Sequence, residues 1–282
     1  MRILFVGLGQ MGRRMARRLG PEGLTVWNRS TEILQSFGVE GFSVATDLNA
    51  ATTHSDLVIT MLRDDVAVEE LGMRGFFESL APGSVWIDMT TGNPSSTRRY
   101  REIARWRKFA FIAAPVSGSL RPAETGNLLI LAGGDPDVIT TVDPVLSRLG
   151  TVVQVGDPEQ ALTLKLAFNM LLAFYIDGVA EALQLTDKAD LPRERVLRLL
   201  QSSSLAAAVL QAKSERWARQ QYEPEFPIAM LSKDLNLAAD WGKRLGAVIK
   251  GTGALREIYH EASKTSMGGL DMSAVADALA KT

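Results

Sequence analysis

A glycine-rich hexapeptide near the amino terminus restricts the fold of this chain more than any other feature of the sequence. It follows an apolar run at residues 2–6 and opens an amphipathic stretch at residues 11–19. In a G-x-G-x-x-G turn between strand and helix, the glycines allow a tight turn, close approach of backbone to a pyrophosphate, and close helix–strand packing. The amino end of the helix attracts the phosphates. In this context the pattern predicts a dinucleotide site formed by Gly7, Leu8, Gly9, Gln10, Met11 and Gly12.

Short apolar runs bounded by turn residues alternate with helical patterns in the first half of the chain. They predict buried strands at residues 2–6, 24–27, 56–62, 84–89, 109–115, 128–132 and 151–156. Such alternation is typical of a doubly wound, mostly parallel Rossmann sheet. After Gly156-Asp157-Pro158 apolar residues recur only at helical spacing. We therefore expect an α/β Rossmann domain at residues 1–157 and an all-α domain at residues 158–282, joined by a long interdomain helix.

The composition excludes several kinds of site. A net charge of −1 provides no overall field that would favour nucleic acid. The chain has no cysteine, and its two histidines are His54 and His260, so we expect neither a disulfide framework nor a metal site. The first residues lead into a strand-like run without a cleavable signal. These features favour a cytoplasmic protein.

Residues 161–185 are apolar over more than the roughly 20 residues that a bilayer requires. The segment nevertheless contains Lys165, Asn169, Asp177 and Glu181, whose side chains are unfavourable in lipid. A long helix buried between two domains accounts better for this pattern, and we expect no membrane partner.

The end of the second predicted strand indicates which dinucleotide is preferred. NAD sites usually carry an acid about 20 residues beyond the glycines, where it binds the ribose 2′-hydroxyl. Here the sequence is Asn28-Arg29-Ser30-Thr31, without an acid. A guanidinium can pair with the 2′-phosphate of NADP, so we expect NADP, with NAD also possible. Alternatively Ser30 or Thr31 caps the next helix and Arg29 is only solvated; both interpretations can hold together.

Six motifs follow one another along the chain: the glycine hexapeptide, Asn28-Arg29-Ser30, Asp88-Met89-Thr90-Thr91, Pro115-Val116-Ser117-Gly118, Lys165 with Asn169, and Lys233-Asp234-Leu235. In this order they resemble the motifs of the β-hydroxyacid dehydrogenases, a family that includes 3-hydroxyisobutyrate dehydrogenase, tartronate semialdehyde reductase and succinic or glyoxylic semialdehyde reductases. The resemblance spans residues 7 to about 271. It implies hydride transfer between NADP(H) and a small 3-hydroxy acid or its semialdehyde.

The resemblance also implies roles for individual residues. The loop at Met61 and Leu62 lies over the cofactor, and Thr91 lies beside the nicotinamide. Ser117 and Gly118 donate hydrogen bonds to the substrate carboxylate. Three further implied roles belong to the second domain and the helix leading into it: Lys165 is the catalytic acid/base, Asn169 orients the substrate, and Lys233 reaches the cofactor.

Residue spacing supports some of these roles independently. Lys165 and Asn169 are four residues apart and therefore share one helix face. The alternative for Lys165 is a stem that covers apolar surface with its ammonium in water, and Lys233 could simply pair with its neighbours or solvent. The sequence departs from the usual family pattern at Ala113, Ser119, Arg121 and Phe168, which puts the identity of the substrate in question.

Two other functions fit parts of the pattern. An imine reductase shares the architecture but generally lacks the catalytic lysine, and a non-catalytic NADP-binding protein acting through protein contacts could dispense with Lys165 and Ser117. Both residues are present. Apolar stretches at residues 205–210 and 229–237 exceed what one small domain is expected to bury, so we expect a homodimer or homotetramer formed through residues beyond 157.

Overall fold

The computed structural model describes residues 1–279 and divides the chain into two units, Met1–Lys165 and Leu166–Thr282. The sequence places the domain boundary at residue 157. The division of the structure falls inside the helix that begins at Pro158.

One sheet organises the first unit, and its topology confirms the predicted fold class. Its order is β3-β2-β1-β4-β5-β6-β8-β7, with β9 beside β8. Strands β1 to β6 pair in parallel, whereas β8 runs antiparallel to β6 and β7. The strands are β1 (Ile3–Val6), β2 (Leu24–Trp27), β3 (Ser43–Val44), β4 (Leu57–Thr60), β5 (Val85–Asp88), β6 (Ala110–Ala113), β7 (Val116–Ser117), β8 (Leu128–Gly133) and β9 (Gly150–Gly156).

Helices cover both faces of this sheet, which explains why β1 and β4 are buried along their whole length. Alternate residues of β1 enter different cores: Phe5 packs with Met15 on one face, and Leu4 packs in the cluster of Trp86 on the other. The helices are α1 (Gln10–Leu19), α2 (Thr31–Val39), α3 (Leu48–Thr53), α4 (Asp65–Met73), α5 (Phe76–Ser79), α6 (Pro94–Arg107), α7 (Leu120–Thr125) and α8 (Pro136–Leu146).

Two strands escape sequence analysis, and two predicted strands are too long. β3 and β7 contain two residues each, too few to show an alternating pattern. The run at 109–115 predicts a strand to Pro115, but β6 stops at Ala113. The run at 56–62 predicts a strand to its end, but β4 stops at Thr60. Met61 and Leu62 therefore lie in the loop that follows.

The second unit is helical, as predicted. It begins within α9 (Pro158–Asp187). The first turn of this helix belongs to the first unit, where Glu159 forms ion pairs with Arg98 and Arg101 of α6. By length and composition α9 could also cross a membrane, with a mean hydropathy of 1.5; core helices of other proteins meet the same criteria. The remaining helices are α10 (Arg193–Gln201), α11 (Ala208–Arg219), α12 (Ile228–Leu245), α13 (Lys250–Ser263) and α14 (Val275–Leu279).

A buried ion pair joins distant parts of the helical unit. The Lys213 ammonium lies 2.8 Å from Asp271 Oδ2 and 2.9 Å from Glu225 Oε2. Asp271 is fully buried and also accepts hydrogen bonds from the backbone amides of Glu225 and Phe226 and from the Ser273 hydroxyl. The carboxylate thereby connects α11, the loop before α12 and the segment after α13.

Candidate active site

The glycine hexapeptide forms the tight turn from β1 into α1. Gly7 has a φ of +101°, and a Cβ atom there would lie 2.4 Å from the Met61 carbonyl oxygen. A Cβ atom on Gly12 would lie 1.9 Å from the Gly7 carbonyl oxygen. Neither position can hold a side chain without moving backbone, so this geometry requires glycine at both.

Gly9 differs from the other two glycines because it faces open space. A Cβ atom on Gly9 would meet no atom within 4 Å. Gly9 is the N-cap of α1, where no side chain caps the helix and no acidic residue occupies the first turn. Unpaired amides, a positive helix end and room for close approach fit the pyrophosphate of a dinucleotide.

At the end of β2 the side chain of Asn28 holds the glycine turn. Its Oδ1 accepts a hydrogen bond of 3.0 Å from the Leu8 amide, and its Nδ2 donates to the Ser30 carbonyl over 3.4 Å. Ser30 is the N-cap residue of α2 but makes no side-chain capping bond. Arg29 Nη1 lies 3.5 Å from Glu70 Oε2 of α4, with 76% of the Arg29 side chain exposed. Sequence analysis missed Glu70, because nothing in the local pattern of α4 indicates that it faces the end of β2.

The loops after β4 and β5 are joined by hydrogen bonds around Asp88. Asp88 Oδ1 accepts from the Thr60 hydroxyl at 2.7 Å and from the Thr90 amide at 3.1 Å. The Thr90 hydroxyl in turn accepts from the Leu62 amide at 3.0 Å. Burial raises the pKa of Asp88 to about 6, against the opposing effect of these hydrogen bonds. Thr91, the residue expected beside the nicotinamide, follows in this loop and is half-buried.

Ser117 and Gly118 lie where the chain turns from β7 into α7. Ser117 pairs with Leu129 in the antiparallel β7–β8 ladder. Gly118 has a φ of +133°, and a Cβ atom there would lie 3.1 Å from Pro122 Cβ. Ser117 is half-buried and Gly118 exposed, which leaves this turn accessible to a small ligand.

Lys165 and Asn169 lie one turn apart on α9, with exposed fractions of 8% and 3%. Asn169 Nδ2 donates a hydrogen bond of 2.6 Å to Asp234 Oδ2. Lys233 Nζ lies 3.0 Å from the other oxygen, Oδ1, as an ion pair that lacks hydrogen-bond geometry. The alternative considered for Lys233, pairing with its neighbours, is thus present, while its contact with the cofactor stays a prediction. Asp234, only 2% exposed, is a candidate site residue that the motif contained but sequence analysis did not select.

Two family models match successive parts of the chain. The family model for the NAD binding domain of 6-phosphogluconate dehydrogenase matches residues 2–156. The model described as NAD-binding of NADP-dependent 3-hydroxyisobutyrate dehydrogenase matches residues 160–279.

Individual relatives align over almost the whole chain. Glyoxylate/succinic semialdehyde reductase 1 of Arabidopsis thaliana is 29% identical over 99% of this chain and 98% of its own length. The 2-hydroxy-3-oxopropionate reductase of Escherichia coli K12 is 31% identical over 99% and 97%. The structure of Mycobacterium tuberculosis 3-hydroxyisobutyrate dehydrogenase with L-serine superposes with a TM-score of 0.88, at 25% identity and 98% coverage of both chains. The chain therefore belongs to the β-hydroxyacid dehydrogenase family and is an NAD(P)-dependent dehydrogenase/reductase that acts on CH–OH groups.

Proposed function

We propose that this protein transfers a hydride between NADP(H) and a small 3-hydroxy acid or its semialdehyde, with Lys165 as the acid/base. The observation that carries the proposal is the buried pair formed by Lys165 and Asn169 on one face of α9. Reduction of a carbonyl places negative charge on its oxygen, and a proton donor must lie within hydrogen-bond reach as that charge grows. A buried ammonium provides such a donor.

Histidine and cysteine side chains offer no better proton donor than Lys165. His54 is the C-cap of α3, where its ring nitrogen contacts the Ala50 carbonyl oxygen at 2.7 Å. His260 is exposed near the end of α13. The chain has no cysteine. Lys165 is therefore the strongest candidate acid/base.

Asn169 supports the role of Lys165 by orientation rather than by titration. Because its Nδ2 donates to Asp234 Oδ2, its Oδ1 must point away from that carboxylate. The carboxylate thus fixes the orientation of the Asn169 amide one helical turn from Lys165. This favours an ordered polar face on α9 over a lysine that only covers apolar surface.

The preference for NADP is supported by the end of β2. Asn28 is engaged with the glycine turn, which leaves Arg29 as the exposed cation next to it. No acid follows β2 itself. Glu70 lies opposite Arg29, however, and its carboxylate would oppose the binding of a 2′-phosphate. We infer that NADP is preferred and that NAD can also bind.

The substrate is a small carboxylate. Ser117 supplies a hydroxyl donor, and the accessible turn at Gly118 supplies backbone amides. Arg121 of α7 adds an exposed cation two residues after Ser119. We further propose a cytoplasmic protein that assembles as a homodimer or homotetramer through residues beyond 157.

The test is the loss of NADPH absorbance with a panel of short semialdehydes, 2-keto acids and cyclic imines. We expect turnover with semialdehydes that carry a carboxylate, and slower turnover with the same aldehydes as methyl esters. Turnover with cyclic imines alone would indicate an imine reductase. Tight NADPH binding without turnover of any compound would favour a non-catalytic binding protein.

A further inference from the structure

Asp88 is a buried carboxyl group that the proposed chemistry does not use. It is the last residue of β5 and is 5% exposed. β5 lies between β4 and β6, and the carboxyl ends of parallel strands are where ligands bind in doubly wound sheets. The group therefore lies at the edge of the sheet that bears the candidate cofactor site.

One oxygen of Asp88 holds the loops after β4 and β5 through hydrogen bonds. Oδ1 accepts from the Thr60 hydroxyl, which itself accepts from Trp86 Nε1 at 3.0 Å, and it also accepts from the Thr90 amide. The Thr90 hydroxyl in turn accepts a hydrogen bond from the Leu62 amide, so the position of Thr90 also fixes the loop after β4. Thr60, Trp86 and Thr90 are each no more than 1% exposed, so water cannot readily replace these bonds.

The chain of contacts continues to the glycine turn. Residue Met61, which precedes Leu62, donates its amide to the Val6 carbonyl oxygen at 2.9 Å. The Met61 carbonyl oxygen lies against Gly7, where a Cβ atom would be 2.4 Å away. A displacement of the loop after β4 would therefore change the space beside Gly7 as well as the position of Leu62.

The charged groups near Asp88 do not form an ordinary ion pair with its carboxylate. The groups that face it are the carboxylate of Asp65 in α4 and the hydroxyl of Tyr100 in α6, which also lies near Glu69. None of these is a cation, and burial of a carboxylate without one is unfavourable. The contacts that hold the carboxyl group are therefore the two hydrogen bonds that its Oδ1 accepts.

We propose that Asp88 is a positioning residue of the cofactor site, which holds Thr90 and, through it, Leu62 in the arrangement that faces the dinucleotide. The inference rests on the proposed function, because it takes the loops at residues 61–62 and 90–91 to line the cofactor. Asp88 acts through these loops and does not itself contact the reacting atoms.

The experiment compares Asp88→Ala and Asp88→Asn with the wild type by titrating NADPH and NADH against intrinsic fluorescence, well below each melting temperature. We expect Asp88→Ala to weaken both cofactors by roughly 5- to 30-fold and to raise the cofactor KM more than it lowers kcat. Asp88→Asn keeps an acceptor oxygen and should recover affinity to within about threefold of the wild type. Ser84→Ala is the matched control, because it removes a buried hydrogen bond of 2.7 Å at the amino end of the same strand.

A second pair of variants keeps the inference testable if Asp88→Ala folds poorly. Thr90→Val removes the acceptor for the Leu62 amide but preserves shape, and should weaken cofactor binding, whereas Thr90→Ser should restore it. Asp88→Ala and Thr90→Val should not be additive, since both act through the same loop.

The outcomes separate this inference from the proposed function. Wild-type cofactor affinity in Asp88→Ala, with a melting temperature lowered as in Ser84→Ala, would show a structural role alone and overturn the inference. Additive effects of Asp88→Ala and Thr90→Val would overturn it as well. A wild-type protein that binds neither NADPH nor NADH would overturn the proposed function, and the inference with it.

Discussion

The side-chain amide of Asn169 donates to the buried carboxylate of Asp234 across 2.6 Å, although the two residues are 65 positions apart in the sequence. An amide held by a carboxylate has only one favourable orientation, because the carboxylate accepts and cannot donate. Asp234 therefore fixes the orientation of the Asn169 side chain. Replacing it should affect the substrate rather than the cofactor.

We expect Asp234→Ala to lower kcat/KM for the carbonyl substrate by roughly 10- to 150-fold, because losing a hydrogen bond to a charged group weakens binding by about 1.5–3 kcal/mol. The Kd for NADPH should be unchanged. Asp240→Ala, on the exposed face of the same helix, is the control. Equal kinetic effects of the two substitutions would remove Asp234 from the site.

Lys165→Met should lower kcat by roughly two to four orders of magnitude, the usual contribution of general acid–base catalysis. Lys165→Arg should be almost as inactive, since guanidinium does not release its proton near neutral pH. Single-turnover rates and NADPH titrations would separate chemistry from cofactor binding, with exposed Lys188→Met as control. If Lys165→Met keeps more than half of kcat, another group carries the proton.

Arg29→Ala should lower kcat/KM for NADPH by roughly 10- to 150-fold, corresponding to one lost charge-assisted contact, and should leave NADH little changed. Glu70→Gln should act in the opposite direction by a few-fold, because it removes the carboxylate that lies 3.5 Å from Arg29. Measurements with both cofactors at two ionic strengths test this. Equal use of NADH and NADPH by the wild type would contradict the preference.

Asp177 of α9 should make the stability of the protein depend on pH. Burial, together with Glu181, raises the pKa of Asp177 to about 6, and its Oδ1 has no hydrogen-bond partner among residues 1–279. A folded-state pKa above the unfolded value near 3.8 favours the protonated folded state, so this residue's contribution to stability falls as pH rises from about 4 to about 6. Asp177→Asn should therefore raise the unfolding free energy by roughly 1–2 kcal/mol at neutral pH and by little at about pH 4. Urea denaturation at the two pH values measures this difference. A larger gain in unfolding free energy at about pH 4 than at neutral pH would show that the pKa of Asp177 is shifted in the opposite direction.

The protein should be an oligomer in solution. Only 33% of the most apolar stretch of α9 is buried within one chain, and Leu171, Leu185 and Leu205 are exposed. A surface of this kind favours association. Light scattering at micromolar concentration should give a multiple of 30.7 kDa. A value equal to that of the single chain would contradict the prediction.

Local patterns predicted the parts of this protein that depend on neighbours in sequence. The glycine turn was recognisable because Gly7 and Gly12 lie between a strand and a helix within a few residues. β3 was not recognisable, because it is defined by its pairing with β2, as in Val26↔Val44. Glu70, Asp88 and Asp234 were missed as site residues for the same reason. Their importance comes from partners distant in sequence, and no period or spacing of the chain reports such contacts.

The ion pair between Lys213 and Asp271 has a consequence for how the chain can be shortened. Asp271 is the buried anchor of the carboxyl-terminal segment, and the Lys213 side chain that it pairs with is 4% exposed. Deleting residues from 271 onward would leave that ammonium buried with Glu225 as its remaining carboxylate and would remove the acceptor of the Glu225 and Phe226 amides. Such a truncation would act as a core mutation, comparable to breaking a buried salt bridge at about 3–5 kcal/mol.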